Sequence, residues 1–198
     1  MKVLRQKSKL AAKIILTGLT VSLFLFVLMR HEARAYPVLQ LYIDGATYDA
    51  TTDTWTTTDS LFDLWVIGDV SKFGTIYEMK LTMSFWGTSG NVTLTPKTAS
   101  LVTDPSTPSA PTPWASGTGD HTSLPDHGVF NDPTMDHWED WLLGDFDLTD
   151  SPVGDFMTSY PSTFDSTGQI NVYEVAVSGW ERVHFDAYDH TVTTVCNK

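Results

Sequence analysis

The sequence is poor in cysteine and, beyond its first 35 residues, in basic side chains. Its one cysteine, Cys196, excludes an intrachain disulfide, a cysteine-ligated zinc cluster and an iron–sulfur centre. Seven of the twelve Lys and Arg residues lie in residues 1–35, so residues 36–198 hold five basic against 23 acidic residues, a net charge of −18. Because such a body repels phosphate backbones and anionic lipid, nucleic acid is excluded as a partner.

The long apolar run of the chain lies near its N-terminus. Residues 1–35 have the three parts of a secretory signal peptide, namely a basic stretch (Lys2–Lys13), an apolar run (Ile14–Met29) and small residues at Ala33 and Ala35. The run of 16 residues is short for a membrane-spanning helix, which needs about 20. We expect cleavage before Tyr36 and secretion of the remainder. An uncleaved N-terminal anchor is the alternative, and it is the one expected route to a membrane.

Alternating apolar and polar residues predict β-strands along residues 36–198. The cleanest case is Thr75–Phe85, whose predicted buried row is Tyr77, Met79, Leu81, Met83 and Phe85. The intervening residues Glu78, Lys80, Thr82 and Ser84 are expected to face water. A turn at Gly87–Gly90, followed by alternation in Asn91–Thr95, predicts an antiparallel hairpin.

Other segments extend the same pattern. Further strands are predicted at Val38–Ile43, Thr54–Thr58, Leu61–Ile67, Gln169–Ser178, Val183–Tyr188 and His190–Val195. The apolar Leu61–Ile67 segment is typical of a central strand that is buried on both faces. Pro152–Ser159 is predicted as a short helix capped by Ser151, and His137–Leu143 is compatible with a turn or a strand. We therefore predict an all-β fold, an antiparallel two-sheet β-sandwich of jelly-roll or Ig-like type with at most one or two short helices, in one domain at 36–198.

Residues 103–137 form a stretch rich in Pro, Gly and Asp, which we predict to be a long loop. Six of the ten prolines lie there. A connection of this length is usually either functional or disordered. Two interpretations stay open, a surface excursion packed by Trp114 and Phe130 or a loop that binds a ligand or metal.

Acidic residues dominate the second half of the chain. No basic residue lies between Lys97 and Arg182, whereas 14 acidic residues do. Aspartate is a common calcium ligand in loops. The hypothetical calcium ligands are Asp120, Asp126, Asp132 and Asp136. The alternative is a solvated acidic face, because no calcium loop of defined spacing is present.

Histidine and serine give weaker signals for chemistry. His184 and Asp186 are predicted to lie on the same face of a strand, where a structural His–Asp hydrogen-bond network is the favoured interpretation. A metal-binding triad of His184, Asp186 and His190 is the alternative. A G-x-S-x-G nucleophile motif is absent, and Cys196 lies near the end of the chain. We therefore predict a non-catalytic protein. No cofactor is expected other than the hypothetical calcium ion.

Seven tryptophans raise the possibility of carbohydrate binding, since sugar rings stack on exposed indoles. Trp65 is predicted to lie in the core, whereas Trp86 and Trp180 flank turns and are predicted to be exposed. The candidate ligand-binding residues are Trp114, Trp138 and Trp180. The alternative is that most of the indoles fill the space between the two sheets.

Several segments resemble the choice-of-anchor N family of exported bacterial proteins. They are LQLYIDGATYD (39–49), LWVIGDV (64–70), VTLTP with LVTDPSTP (92–108), LGDFDLTDSPVGDF (143–156) and VHFDAYDH (183–190). The resemblance implies an extracellular domain, in a group that is often attached by a PEP-CTERM tail. The sequence ends at Lys198 without such a tail. A released protein, a truncated chain and attachment through the N-terminal helix are the three explanations.

The function predicted from these observations is a secreted, non-catalytic protein of the cell surface or extracellular space, with a structural or interaction role. A carbohydrate-binding domain, assisted by calcium, is the second hypothesis, and a hydrolase is the third. The expected partner is an extracellular polysaccharide or matrix component. The oligomeric state stays open.

Overall fold

A computed structural model describes residues 38–99, 108–119 and 134–189, and within these ranges the chain forms eleven β-strands and one helix of four residues. The elements are β1 (Leu39–Ile43), β2 (Thr47–Asp49), β3 (Thr54–Thr56), β4 (Leu61–Gly68), α1 (Val70–Phe73), β5 (Ile76–Trp86), β6 (Asn91–Thr98), β7 (Thr112–Gly117), β8 (His137–Phe146), β9 (Ser151–Gly154), β10 (Phe164–Ser178) and β11 (Arg182–Tyr188). The predicted all-β fold is confirmed. No helix in the described ranges is long and apolar enough to cross a membrane.

The strands form two antiparallel sheets that pack as a sandwich. In the first sheet the strand order is β1-β4-β10-β6, and β9 pairs with the beginning of β10. In the second sheet the order is β11-β5-β8-β7. The short strands β2 and β3 form a separate hairpin. Since β1 and β11 are the first strands of their sheets and contact each other, they border the same side of the sandwich.

The main core lies between the two sheets. The residues buried there include Leu64, Val66, Tyr173 and Val175 from the first sheet and Met79, Leu81, Leu143 and Phe146 from the second. The predicted buried row of β5 is confirmed from Met79 to Phe85, but Tyr77 is 54% exposed. The register shifts between Ile76 and Met79, where Glu78 has a φ of 55°. This bulge turns Tyr77 to the opposite side of the strand from the one that alternation predicts.

A second, smaller core covers the outer face of the first sheet. It consists of Tyr42, Ile67, Val153, Phe156, Ile170 and Val172. The Gln40 side chain fastens this cover, because its Nε2 donates to Gly154 O at 3.0 Å and its Oε1 accepts from Phe156 N at 2.8 Å. Strand β4 is consequently buried on both faces in its second half, as predicted, whereas Leu61 at its start is 57% exposed.

The predicted helix at Pro152–Ser159 is wrong. Residues 151–154 form strand β9, in which Pro152 lies opposite Thr167 of β10. A short strand with a single neighbour tolerates proline, because few of its N–H groups are needed for pairing. The helix that does form is α1, between β4 and β5.

The predicted hairpin between Thr75–Phe85 and Asn91–Thr95 is also wrong. Strand β5 pairs with β8 and β11 in the second sheet, whereas β6 pairs with β10 in the first. The turn at Gly87–Gly90 therefore carries the chain from one sheet to the other. Both strands exist as predicted, but alternation within a strand does not reveal its neighbour.

The outer face of the second sheet is buried rather than wet. Lys80, Thr82 and Ser84 of β5 are at most 6% exposed, contrary to the prediction. Thr82 Oγ1 donates to Asp140 Oδ1 at 2.7 Å, and Tyr188 OH donates to Asp140 Oδ2 at 2.6 Å. Burial is possible because these polar groups find partners on neighbouring strands.

Trp86 lies on this same face and is buried, so its predicted exposure is wrong. Its ring packs with Met135, Tyr188 and Trp138, and the guanidinium carbon of Arg182 lies 3.6 Å from the ring centroid. A position beside a turn therefore does not expose Trp86, because side chains from adjacent strands cover it.

Strand β7 lies inside the segment 103–137 and pairs with β8. The sequence did not predict this strand, which gives the second sheet its fourth member. Residues 120–133 and the predicted strand at His190–Val195 lie outside the described residues.

A hydrogen-bonded row of polar side chains runs through the main core along β10. Gln169 Nε2 donates to Asn171 Oδ1 at 2.9 Å, and Asn171 Nδ2 donates to Tyr173 OH at 3.2 Å. Gln169 Oε1 also accepts from the backbone N–H groups of Asp147 and Leu148. This row links the first sheet to the chain that follows β8. Burial raises the pKa of Tyr173 from 10.0 to about 12.

Tyr173 should make the protein sensitive to alkaline pH. Between pH 10 and pH 12 the unfolded chain releases the Tyr173 proton while the folded chain keeps it, so the free energy of unfolding falls as the pH rises. This group accounts for about 3 kcal/mol across that window. Urea unfolding of the protein and of Tyr173→Phe should show a shallower alkaline decline in the variant, which loses about 1 kcal/mol at neutral pH. Parallel declines would contradict the assignment.

Candidate functional site

A groove of about 890 Å³ lies on the side of the sandwich bordered by β1 and β11. Its floor is apolar and includes the half-buried Leu39, Leu41, Phe62 and Phe185. Because β1 and β11 belong to different sheets, the groove exposes part of the space between the sheets. Polar segments on two sides of this floor form its walls.

One wall is residues 52–60, which run from the β2–β3 turn into β4 and are rich in Thr and Asp. Local hydrogen bonds fix the start of this wall, since Tyr48 OH donates to Asp53 Oδ1 at 2.7 Å and Thr56 Oγ1 donates to Thr47 O at 3.0 Å. Trp55 Nε1 donates to Phe156 O at 3.0 Å and anchors the hairpin to the second core. The wall therefore presents hydroxyl and carboxylate groups in a defined arrangement.

Acidic residues line the groove, and Asp49 is one of them. The pKa of Asp49 lies below its usual value because the backbone N–H of Thr51 donates to its Oδ1 at 2.8 Å. Five acidic residues are among those that line the groove, namely Asp49, Asp53, Asp59, Glu181 and Asp186, and the Asp186 carboxylate lies 3.0 Å from His184 Nε2. The only Lys or Arg among the described lining residues is Arg182.

The other wall comprises the turn after β10 and strand β11. Trp180 in this turn is half-buried, with its ring centroid 4.8 Å from that of Phe85 and 5.3 Å from that of His137. The rings of Phe85 and His137 stack at 4.7 Å. Aromatic contacts therefore hold Trp180 beside the groove that it lines, with part of the residue accessible to solvent.

His184 and Asp186 also line this wall, and their side chains lie on the same face of β11, as predicted. His184 Nε2 lies 3.0 Å from Asp186 Oδ2. The third residue of the hypothetical metal triad, His190, lies outside the described residues. Among the side chains that the structure does describe, no three His, Cys, Asp or Glu residues are grouped as metal ligands.

A second, smaller pocket of about 380 Å³ lies between β7 and β8. Its lining includes Pro113, Trp114, Glu139, Asp140 and Trp141. Trp114 is 56% exposed, and the Lys80 ammonium lies 5.0 Å from its ring centroid. The Lys80 ammonium thus lies over part of the Trp114 ring face.

The three candidate tryptophans do not share a site. Trp180 lines the groove, and Trp114 lines the smaller pocket. Trp138 is half-buried against the cluster of Trp86, Met135 and Tyr188. Of the three predictions, only Trp180 coincides with the large opening.

The hypothetical calcium site falls mostly outside the described residues, since Asp120, Asp126 and Asp132 are not among them. Asp136 is exposed before β8, where its backbone N–H donates to Phe85 O at 2.9 Å. Calcium binding thus stays a prediction.

Sequence reasoning missed the Thr- and Asp-rich wall and the contributions of Glu181 and Arg182. A signal was present, because residues 51–60 (TTDTWTTTDS) combine hydroxyls, two carboxylates and an indole. The residue pattern of that stretch predicts only a strand, and its proximity to β11 depends on the packing of the two sheets.

No protein-family model matches the chain, and no significant match was found among curated proteins or solved structures.

Proposed function

We propose that the protein is a secreted, non-catalytic binding domain that holds a segment of extracellular polysaccharide in the groove between β1 and β11. The observation that carries this proposal is the composition of the groove. An apolar floor lies between a wall of hydroxyls and carboxylates and a second wall that carries Trp180.

The size and chemistry of the groove suit several sugar residues. Its volume of about 890 Å³ lies within the range of small-ligand sites, roughly 300–1,000 Å³. Carboxylates and threonine hydroxyls can accept or share hydrogen bonds with sugar hydroxyls. The open part of the Trp180 ring offers an apolar surface to the C–H face of a sugar.

The placement of Ser84 and His184 disfavours a hydrolase that uses a serine nucleophile activated by histidine. These residues lie opposite each other on β5 and β11, but Ser84 Oγ is buried and has no hydrogen-bond partner among the described residues. His184 is engaged with Asp186. Nucleophilic catalysis requires a hydroxyl that contacts its base and can reach the substrate, and this arrangement supplies neither.

The test is a glycan array followed by titration of the best oligosaccharide. We expect Trp180→Ala to weaken binding at least tenfold, as truncation of a central aromatic contact does. Trp114→Ala is the matched control, since it removes an exposed indole from outside the groove. Melting curves of both variants verify folding, and repetition with EDTA measures any contribution of calcium.

Binding that is equally lost in both variants, or retained in Trp180→Ala, would contradict the groove as the site. An array on which no glycan binds would contradict the proposed function itself.

A further inference from the structure

We infer that the polysaccharide recognised by the groove carries positive charge and is an amine-bearing polymer, such as one of deacetylated amino sugars. This inference rests on the proposed function and specifies its ligand class. It follows from the distribution of charge in and around the groove.

Negative charge reaches the groove from both walls. Asp49, Asp53 and Asp59 belong to the hairpin and the loop that follows it, whereas Glu181 and Asp186 belong to the opposite wall. Asp49, Asp53 and Asp59 are each exposed or half-buried. A ligand lying along the floor would therefore meet carboxylates on two sides.

Positive charge is scarce among the residues that line the groove. The Arg182 guanidinium packs on Trp86, with its central carbon 3.6 Å from the ring centroid. His184 lies 3.0 Å from the Asp186 carboxylate. Among the described residues that line the groove there is no lysine. An anionic polysaccharide such as a uronate or sulfated polymer would thus meet an excess of acidic residues over the single arginine of the lining.

An amine on the ligand would find two kinds of partner. Carboxylates of either wall can accept its N–H groups in charge-assisted hydrogen bonds. The Trp180 ring can contact an ammonium through a cation–π interaction. The net charge of −18 in residues 36–198 adds long-range attraction that raises the association rate.

The experiment compares two oligosaccharides with the same backbone, a glucosamine hexamer with free amines and its fully N-acetylated, uncharged counterpart. Calorimetric titrations are run at a mildly acidic pH at which the free amines are protonated. We expect the amine form to bind roughly tenfold more tightly, and we expect this preference to shrink at high salt because the charges are partly exposed.

Variants assign the preference to the groove. Asp59→Asn and Glu181→Gln neutralise one carboxylate on each wall, and each should weaken binding of the amine form by roughly two- to fivefold more than it weakens binding of the N-acetylated form. Asp147→Asn is the control, because this exposed carboxylate lies outside the groove.

The outcomes separate the inference from the proposed function. Equal binding of the two hexamers, or a preference that neither groove variant reduces, would overturn the positive-ligand inference and leave polysaccharide binding intact. Failure of both hexamers together with binding of an anionic glycan on the array would also overturn it. Failure of every glycan would remove the proposed function and the inference together.

Discussion

Gly168→Ala should lower the free energy of unfolding by about 3 kcal/mol or more, because a methyl group at this position has no space. A Cβ at residue 168 would overlap the carbonyl oxygen of Gly68 and would lie 3.0 Å from its carbonyl carbon and 3.1 Å from Val153 Cγ2. Two of these three atoms belong to the backbone. They cannot move aside as the end of a flexible side chain can.

The position of Gly168 in the sheet explains why relief is difficult. Gly168 pairs with Ser151 of β9, and the next residue, Gln169, pairs with Gly68 of β4. At this point β10 stops pairing with β9 and begins to pair with β4, and residues of the main core and of the second core pack around it. Separating the backbones of residues 68 and 168 would disturb the pairing of β4 with β10.

Urea unfolding at neutral pH measures the effect, with Gly45→Ala as the control. Gly45 has a φ of 77°, and a methyl group at this residue would have no atom within 4 Å, so its substitution tests backbone strain without crowding. We expect a loss of about 1 kcal/mol there. If both variants lost the same amount, the close approach of β4 and β10 would not be as tight as described.

The close contact between Gly68 and Gly168 could not be predicted from the sequence, although the strands that carry these residues could. The strands themselves were predictable, since alternation marks β5 and β6 and a dense apolar run marks β4. Their neighbours were not, because Gly68 and Gly168 lie far apart in sequence. The same limit explains the wrong hairpin, in which two adjacent strands belong to different sheets.

Burial of polar residues was the second limit. Lys80 and Thr82 alternate with apolar residues in a pattern that is typical of a strand with one wet face. Their burial depends on Asp140 and Tyr188, which reach them from neighbouring strands. The candidate site was likewise only partly predictable. Trp180 could be recognised as an indole beside a turn, but only the packing of the two sheets brings residues 52–60 near it.

The second large effect is expected at Asp140, because this buried carboxylate joins three strands of the second sheet. It is 3% exposed and lies on β8 between β5 and β7. Its two oxygens accept hydrogen bonds from Thr82 on β5 and from Tyr188 on β11. Hydrogen bonds to a charged group contribute about 1.5–3 kcal/mol each, and removing the acceptor leaves two buried hydroxyls unsatisfied.

Asp140→Ala should therefore lower the free energy of unfolding by about 3 kcal/mol. The loss is not larger because the variant no longer has to bury a carboxylate, and the cost of removing that group from water disappears. Asp136→Ala is the control, because this aspartate is exposed just before the same strand and should cost less than about 0.5 kcal/mol. Chemical unfolding of both variants provides the comparison.

Tyr188 supplies an independent measurement of the same interaction. Burial first, and then the hydrogen bond to Asp140, raise the pKa of its phenol above the usual range. In Asp140→Ala the hydrogen bond is lost, so Tyr188 should ionise at a lower pH than in the parent protein. Phenolate absorbance follows the ionisation, and Tyr188→Phe identifies which part of the signal comes from Tyr188. A large loss of stability with unchanged ionisation of Tyr188 would show that Asp140 stabilises the sheet through contacts other than this hydrogen bond. A loss no greater than that of Asp136→Ala would mean that the outer face of the second sheet does not need the carboxylate at all.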